Sequence, residues 1–163
     1  NAWVSEPRMT QDIDLLALNA TDLAEEIRQM LSEQFQIAVR VREVKAGLGY
    51  RVYQLQKSGN RHLIDIRTVD QLPSFKRIEG VLIIAPADLI AQKVIAFYKR
   101  RGKPKAGTDW RDIAMLLLTF PEFKENPSLV ANTLQNAQAS AEILAAWQDL
   151  AQQEIQPTDD DDF

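Results

Sequence analysis

Two aspartates one residue apart, in Arg8-Met9-Thr10-Gln11-Asp12-Ile13-Asp14-Leu15-Leu16, are the first residues whose type and spacing suit chemistry. If this segment enters a strand, Asp12 and Asp14 point to one side, about 6–7 Å apart, while Ile13 and Leu15 point to the core. Carboxylates held so close repel each other, and a cation between them relieves the repulsion. Hard oxygen ligands suit Mg²⁺ or Mn²⁺ better than zinc. A solvated pair at a strand mouth is the alternative. A third acid, Asp65, interrupts the strand-forming run His62-Leu63-Ile64-Asp65-Ile66-Arg67. An acid in mid-strand is unfavourable and needs a partner. A metal shared with Asp12 and Asp14 would be one, and an ion pair with Arg67 is the other. Three carboxylates converging from two strands can hold two divalent cations about 3.5–4 Å apart, an arrangement suited to in-line phosphoryl or nucleotidyl transfer.

Those acids need elements to position them. Ile13 to Leu18 read as a buried strand, followed by a turn at Asn19, Ala20 and Thr21. Asp22 to Phe35 have helical spacing, with Leu23, Ile27, Met30 and Leu31 on one face and Thr21 in the N-cap region. Ile37, Val39 and Val41 alternate with polar neighbours as a strand does. Gly47 and Gly49 mark a turn, and residues 50–56 and 62–68 read as a hairpin joined at Ser58-Gly59-Asn60. A polar connection containing Pro73 leads to a last strand, Val81 to Ala85. Pro86 and Asp88 open a helix running to about Arg101, and a basic loop over 102–107 precedes a second helix from about Asp109 to Thr119. Two more helical stretches follow, about Ser128–Ala137 and Ala139–Gln153, with an alanine stripe at 137, 141 and 145 suited to close packing. Strands early and helices late predict an α+β arrangement.

The chain of 163 residues has 45% hydrophobic and 26% charged residues, enough for a core without cross-links. It has no cysteine, which excludes disulfides, thiolate metal sites and cysteine nucleophiles. The formal net charge is −4, and four acids sit in the run Asp159 to Asp162, so the rest is near neutral and unlike a non-specific nucleic-acid coat. With one histidine, His62, a multi-imidazole metal site is excluded, and a strand-face role is the simpler reading than a general base. Trp3, Trp110 and Trp147 read as packing residues. No apolar run approaches the roughly 18 residues needed to span a bilayer, and no signal peptide is visible in a chain that begins at Asn1. A cytoplasmic location is expected.

The pattern Pro7-Arg8-x-Thr10-x-Asp12-x-Asp14-Leu15-Leu16 resembles the metal-binding motif of the DNA polymerase β-like nucleotidyltransferase superfamily, closest to its branch of AbiEii-type toxins. The resemblance continues in Pro86-x-Asp88-Leu89-Ile90-Ala91-x-Lys93, Arg100-Arg101, Lys105 and Thr108-Asp109-x-x-Asp112-Ile113, and covers residues 1 to 119. It implies a mixed sheet packed with helices and followed by C-terminal helices. The expected organisation is a nucleotidyltransferase-like domain over 1–120, a helical extension over 121–156 and an acidic disordered tail over 157–163. One element of the pattern is missing: the superfamily carries Gly-Ser or Gly-Gly ahead of the paired acids, where backbone cradles phosphate. Ala2-Trp3-Val4-Ser5 is not that loop. Either the chain starts after it, or it has been lost.

The resemblance implies a transferase that moves a nucleoside monophosphate from an NTP to a hydroxyl, releasing pyrophosphate, with Mg²⁺ or Mn²⁺ as cofactor. Asp12, Asp14 and Asp65 would be the catalytic and metal-binding residues, and Arg8, Thr10, Lys93 and Arg100 the nucleotide contacts. Lys93 lies among apolar neighbours with its ammonium aimed at an anion, either a triphosphate or one of Asp109 and Asp112. The basic cluster Arg100, Arg101, Lys103 and Lys105 could hold phosphate or simply solvate a helix end. The acceptor is RNA (tRNA among them), protein or a small molecule, and an antitoxin partner is implied. Two rivals remain: a non-catalytic nucleotide- or partner-binding module, and a metal-dependent phosphodiesterase.

Overall fold

The computed structural model describes residues 12–157. Trp3, Arg8, Thr10, the expected loop or helix end over 1–10 and the acidic tail from 158 onward lie outside the described residues. The chain divides into two compact units, with the boundary between Leu72 and Pro73.

In the first unit, β1 (Ile13–Ala17) leads into α1 (Ala20–Gln34), then β2 (Val39–Lys45), β3 (Gly49–Gln54) and β4 (Arg61–Thr68). The sheet is mixed, in the order β1-β4-β3-β2, with β1 parallel to β4 and the other pairs antiparallel. Period-2 alternation explains the layers. Leu15, Ala17, Val39, Val41, Tyr50, Val52, Ile64 and Ile66 line one face and pack against α1. Ala20 and Ala24 on α1 are buried, and such small side chains let a helix approach a sheet closely. Met30, expected on this apolar face, is 40% exposed, and Ile13, expected inward beside Leu15, is 58% exposed and falls outside the cluster.

The α1 cap also differs from expectation. Asn19, not Thr21, is the N-cap: its side-chain oxygen accepts from the Asp22 backbone N–H at 3.2 Å. Asn is among the strongest capping residues, and starting the helix there places Ala20 in the core. The Thr21 hydroxyl instead donates to the Tyr50 hydroxyl at 2.8 Å. The β2–β3 turn places Gly47 at φ +64°, a conformation glycine adopts without strain.

The second unit begins with a hairpin, β5 (Phe75–Ile78) and β6 (Val81–Ile84). Sequence reading expected only the second of these strands. The turn residues Glu79 and Gly80 both have positive φ, the geometry of the tight turn whose twist matches a hairpin. Five helices follow: α2 (Pro86–Lys99), α3 (Lys105–Thr119), α4 (Glu122–Glu125), α5 (Ser128–Asn136) and α6 (Ala141–Gln152). Pro86 and Asp88 occupy the first turn of α2 as expected. Helix α3 starts four residues earlier than expected, after Pro104, so Gly107 lies inside it rather than in a loop.

One apolar core joins α2, α3, α4, α5 and α6. Trp147 is fully buried at its centre, and its indole N–H donates to the Pro127 carbonyl at 2.9 Å. The buried face of α6 carries Ile143, Trp147, Leu150 and Ala151, while Ala137, Ala141 and Ala145 of the expected packing stripe are exposed. The large side chains thus claim the core and leave the alanines to solvent. Among the described residues no helix is long and apolar enough to cross a membrane. Trp147→Ala removes the largest buried side chain and is expected to cost about 3–5 kcal/mol of unfolding free energy. Urea unfolding followed by far-UV circular dichroism checks this, and a loss below about 1 kcal/mol would contradict the buried position.

Candidate functional site

The sheet face turned away from α1 carries the acids. Parallel pairing sets Asp14 of β1 directly beside Asp65 of β4 as Cα partners, with the strands about 4.8 Å apart. Asp12 lies just ahead of β1, and Asp14 is exposed. The antiparallel pairing of β3 with β4 puts Arg51 opposite Asp65 on the other side. Its guanidinium forks onto the carboxylate, with Nε to Oδ1 at 2.7 Å and Nη2 to Oδ2 at 3.0 Å. The arginine that pairs with Asp65 is therefore Arg51, not Arg67. A residue directly opposite on the neighbouring strand is closer than one two positions along the same strand.

A bulge brings in a fifth side chain. Val52 pairs with Ile64, but the next pair is Tyr53 with His62, so Leu63 is the extra residue. The bulge shifts the alternation, and His62 shares the face of Asp65 instead of following Ile64 toward α1. His62 Nε2 lies 3.0 Å from Asp65 Oδ1, and Nδ1 lies 3.4 Å from Asp12 Oδ2. The Tyr53 ring packs beside it with centroids 5.8 Å apart. Sequence reading gave His62 only a strand-face role and did not single out Arg51. The adjacent apolar pair Leu63-Ile64 departs from strict alternation, but the pairing with β3 is what fixes the bulge.

The ligand atoms of Asp12, His62 and Asp65 all lie within 4.8 Å of one another. An octahedral Mg²⁺ or Mn²⁺, with bonds of about 2.0–2.2 Å, spaces neighbouring ligands roughly 3 Å apart, so holding one would draw these atoms closer together. The carboxylates, with Asp14 on the neighbouring register position, suit a hard divalent cation, while the His62 imidazole shifts the set toward a borderline ion, so Mn²⁺ fits these donors better than Mg²⁺. Competing with it is Arg51, whose hydrogen bonds hold the Asp65 carboxyl below the usual carboxylate range against the opposing effect of partial burial.

The other expected site residues lie in the second unit. Lys93 Nζ is 2.7 Å from Asp112 Oδ2. Arg100 Nη1 reaches both oxygens of Asp109, at 2.8 and 3.0 Å, and Asp109 is only 3% exposed. The Lys93 ammonium thus meets the acid of α3 that sequence reading offered beside a triphosphate. Arg101 stacks over the Tyr98 ring at 4.0 Å.

The Arg51–Asp65 pair has a pH signature. Because the folded-state pKa of Asp65 is lowered, its stabilising contribution is fully present above the unfolded carboxylate value of about 4 and is lost as pH falls through the lower folded value. Below about pH 4 the thermal midpoint of the wild type should fall more steeply than that of Asp65→Asn. Parallel melting curves across that range would contradict the pairing.

The family model described as "Nucleotidyl transferase AbiEii toxin, Type IV TA system" matches residues 1–163. No curated protein matches the chain. Among solved structures, an antigenic nucleotidyltransferase-like protein from Paracoccidioides brasiliensis is 18% identical, covering 89% of this chain and 79% of that one, with a TM-score of 0.45. That likeness is too distant to bear on the chemistry. The match over the whole chain places the protein in the AbiEii nucleotidyltransferase toxin family of type IV toxin–antitoxin systems.

Proposed function

We propose that the protein transfers a nucleoside monophosphate from an NTP to a hydroxyl acceptor, using Asp12, Asp14 and Asp65 on the far face of the first unit's sheet. The observation that carries this reading is the side-by-side placement of Asp14 and Asp65 on parallel strands, with Asp12 and His62 within reach of Asp65. In the reaction the acceptor oxygen bonds to the α-phosphorus, the bond to the pyrophosphate oxygen breaks, and the hydroxyl proton passes to Asp65. Asp12, Asp14, His62 and Asp65 would hold a divalent cation, which would supply neutralisation of phosphate charge and a lower pKa for the acceptor hydroxyl. Arg8, Thr10, Lys93 and Arg100 are the proposed nucleotide contacts. Lys93 and Arg100 already hold Asp112 and Asp109, so phosphate binding there requires an exchange of partners. RNA, tRNA included, protein or a small molecule supplies the acceptor hydroxyl, and an antitoxin and a cytoplasmic setting complete the reading.

A second reading is favoured by one feature. The Arg51 fork already neutralises Asp65 without a metal, as a nucleotide- or partner-binding module without catalysis would allow.

Transfer of label from each of four α-³²P-labelled triphosphates, with Mg²⁺ or Mn²⁺, into total RNA and protein decides between them. Metal-dependent labelling is expected, reduced by at least about 100-fold in Asp65→Asn and in the Asp12→Asn/Asp14→Asn pair. Labelling that survives these substitutions overturns the site. Nucleotide binding without any labelling supports the binding module.

A further inference from the structure

Asp65 and Arg51 are unequal partners. The aspartate is a short side chain fixed on a strand paired on both sides, between β1 and β3. Arginine has a long, flexible stem and can reach several anions from one Cα. If the pair separates, Arg51 therefore moves and Asp65 stays. The pair also lies outside the apolar layer, with side-chain exposures of 36% for Arg51 and 23% for Asp65, so parting it opens no core cavity. Its fork covers both oxygens of the carboxylate that faces Asp14 across β1 and lies beside His62 and Asp12. Of the arginines on this face, Arg42 stands opposite Arg51 and Arg67 lies two residues along β4 from Asp65, but Arg51 is the one seated on the Asp65 carboxylate. A divalent cation approaching the group thus meets a resident positive charge on the acid it needs.

We propose that Arg51 is a resident counter-cation that occupies Asp65 in the metal-free protein and is exchanged for a divalent cation, thereby setting the affinity of the site. Arg51 is a positioning residue in this scheme, and the Tyr53 side chain, its other hydrogen-bonding partner, remains beside it when Asp65 is given up. The inference rests on the nucleotidyltransferase reading of the acids, but its test is metal binding and not turnover.

The test titrates the full-length protein with Mn²⁺, reading free Mn²⁺ by electron paramagnetic resonance, for the wild type, Arg51→Gln, Arg51→Lys, Asp65→Asn and the Arg51→Gln/Asp65→Asn double variant. Arg51→Gln is expected to bind Mn²⁺ about two- to fivefold more tightly, the effect of removing one partly exposed ion pair. Arg51→Lys, which keeps the charge but loses the fork, should fall between it and the wild type. Arg51→Gln should have no effect in the Asp65→Asn background, a coupling that a general loss of structure would not produce. Unchanged or weaker binding by Arg51→Gln, with wild-type circular dichroism and melting, overturns the proposal. Should Arg51→Gln fail to fold, the direction of change in Arg51→Lys decides by the same criterion. If Asp65→Asn lowers affinity while both Arg51 variants match the wild type, this proposal fails and the metal reading stands. Absence of Mn²⁺ binding in every variant overturns both.

Discussion

Parallel pairing of β1 with β4 forces Asp14 and Asp65, two like charges, into neighbouring positions, and the rest of the first unit is arranged around that constraint. Across solvent-facing positions the repulsion is of order 1 kcal/mol. On the opposite face of the same sheet, Val52 and Ile66 are fully buried with Ala20 and Ala24, and each large side chain contributes roughly 1.5–3 kcal/mol. Burial therefore wins, and the acids stay where the register puts them. A slip of one residue would turn Ile64 and Ile66 toward water and Asp65 toward α1, so the apolar face enforces the geometry of the acidic one.

The second unit treats charge differently. Helices α2 and α3 place Lys93 and Arg100, one basic residue about two turns after the other, against Asp112 and Asp109. The two pairs are not equivalent. Asp109 is nearly inaccessible, so removing Arg100 would strand a buried carboxylate, a loss of about 3–5 kcal/mol. Lys93 and Asp112 keep 33% and 22% exposure, and solvent there lowers the cost of parting. Of the two cations, Lys93 gives up its partner at the smaller cost to the helix pair.

The parts of this arrangement that sequence reveals are those governed by local period and residue type. Alternation through residues 62–68 locates β4 and marks Asp65 as an acid in mid-strand, and the spacing of Asp12 and Asp14 marks the mouth of β1. Pro86 with Asp88 fixes the start of α2. Features governed by pairing between distant segments were not legible. Phe75-Lys76-Arg77-Ile78 has no strand signature of its own and becomes β5 only against β6. The partner of Asp65 depends on the β3–β4 register, which puts Arg51 opposite it. His62 joins the group because one unpaired residue, Leu63, shifts the alternation, and single-residue bulges follow from the partner strand as much as from their own sequence. Asn19 was read as a turn residue although its capping role is local, because Thr21 offered a competing cap two positions on.

The Arg51–Asp65 fork adds little that the fold needs. A partly exposed ion pair contributes at most about 1 kcal/mol, and β-branched residues at both positions would suit a strand better. Replacing such pairs by apolar side chains is often neutral or stabilising. What the fork does supply is a defined state for a carboxylate that would otherwise face Asp14 uncompensated. It holds Asp65 ionised, turned toward Asp12 and His62, and bound to a group with enough length to leave. On the proposed metal reading, the change at this face is an exchange of Arg51 for a divalent cation, with Asp12 and His62 drawing closer to Asp65 as it occurs.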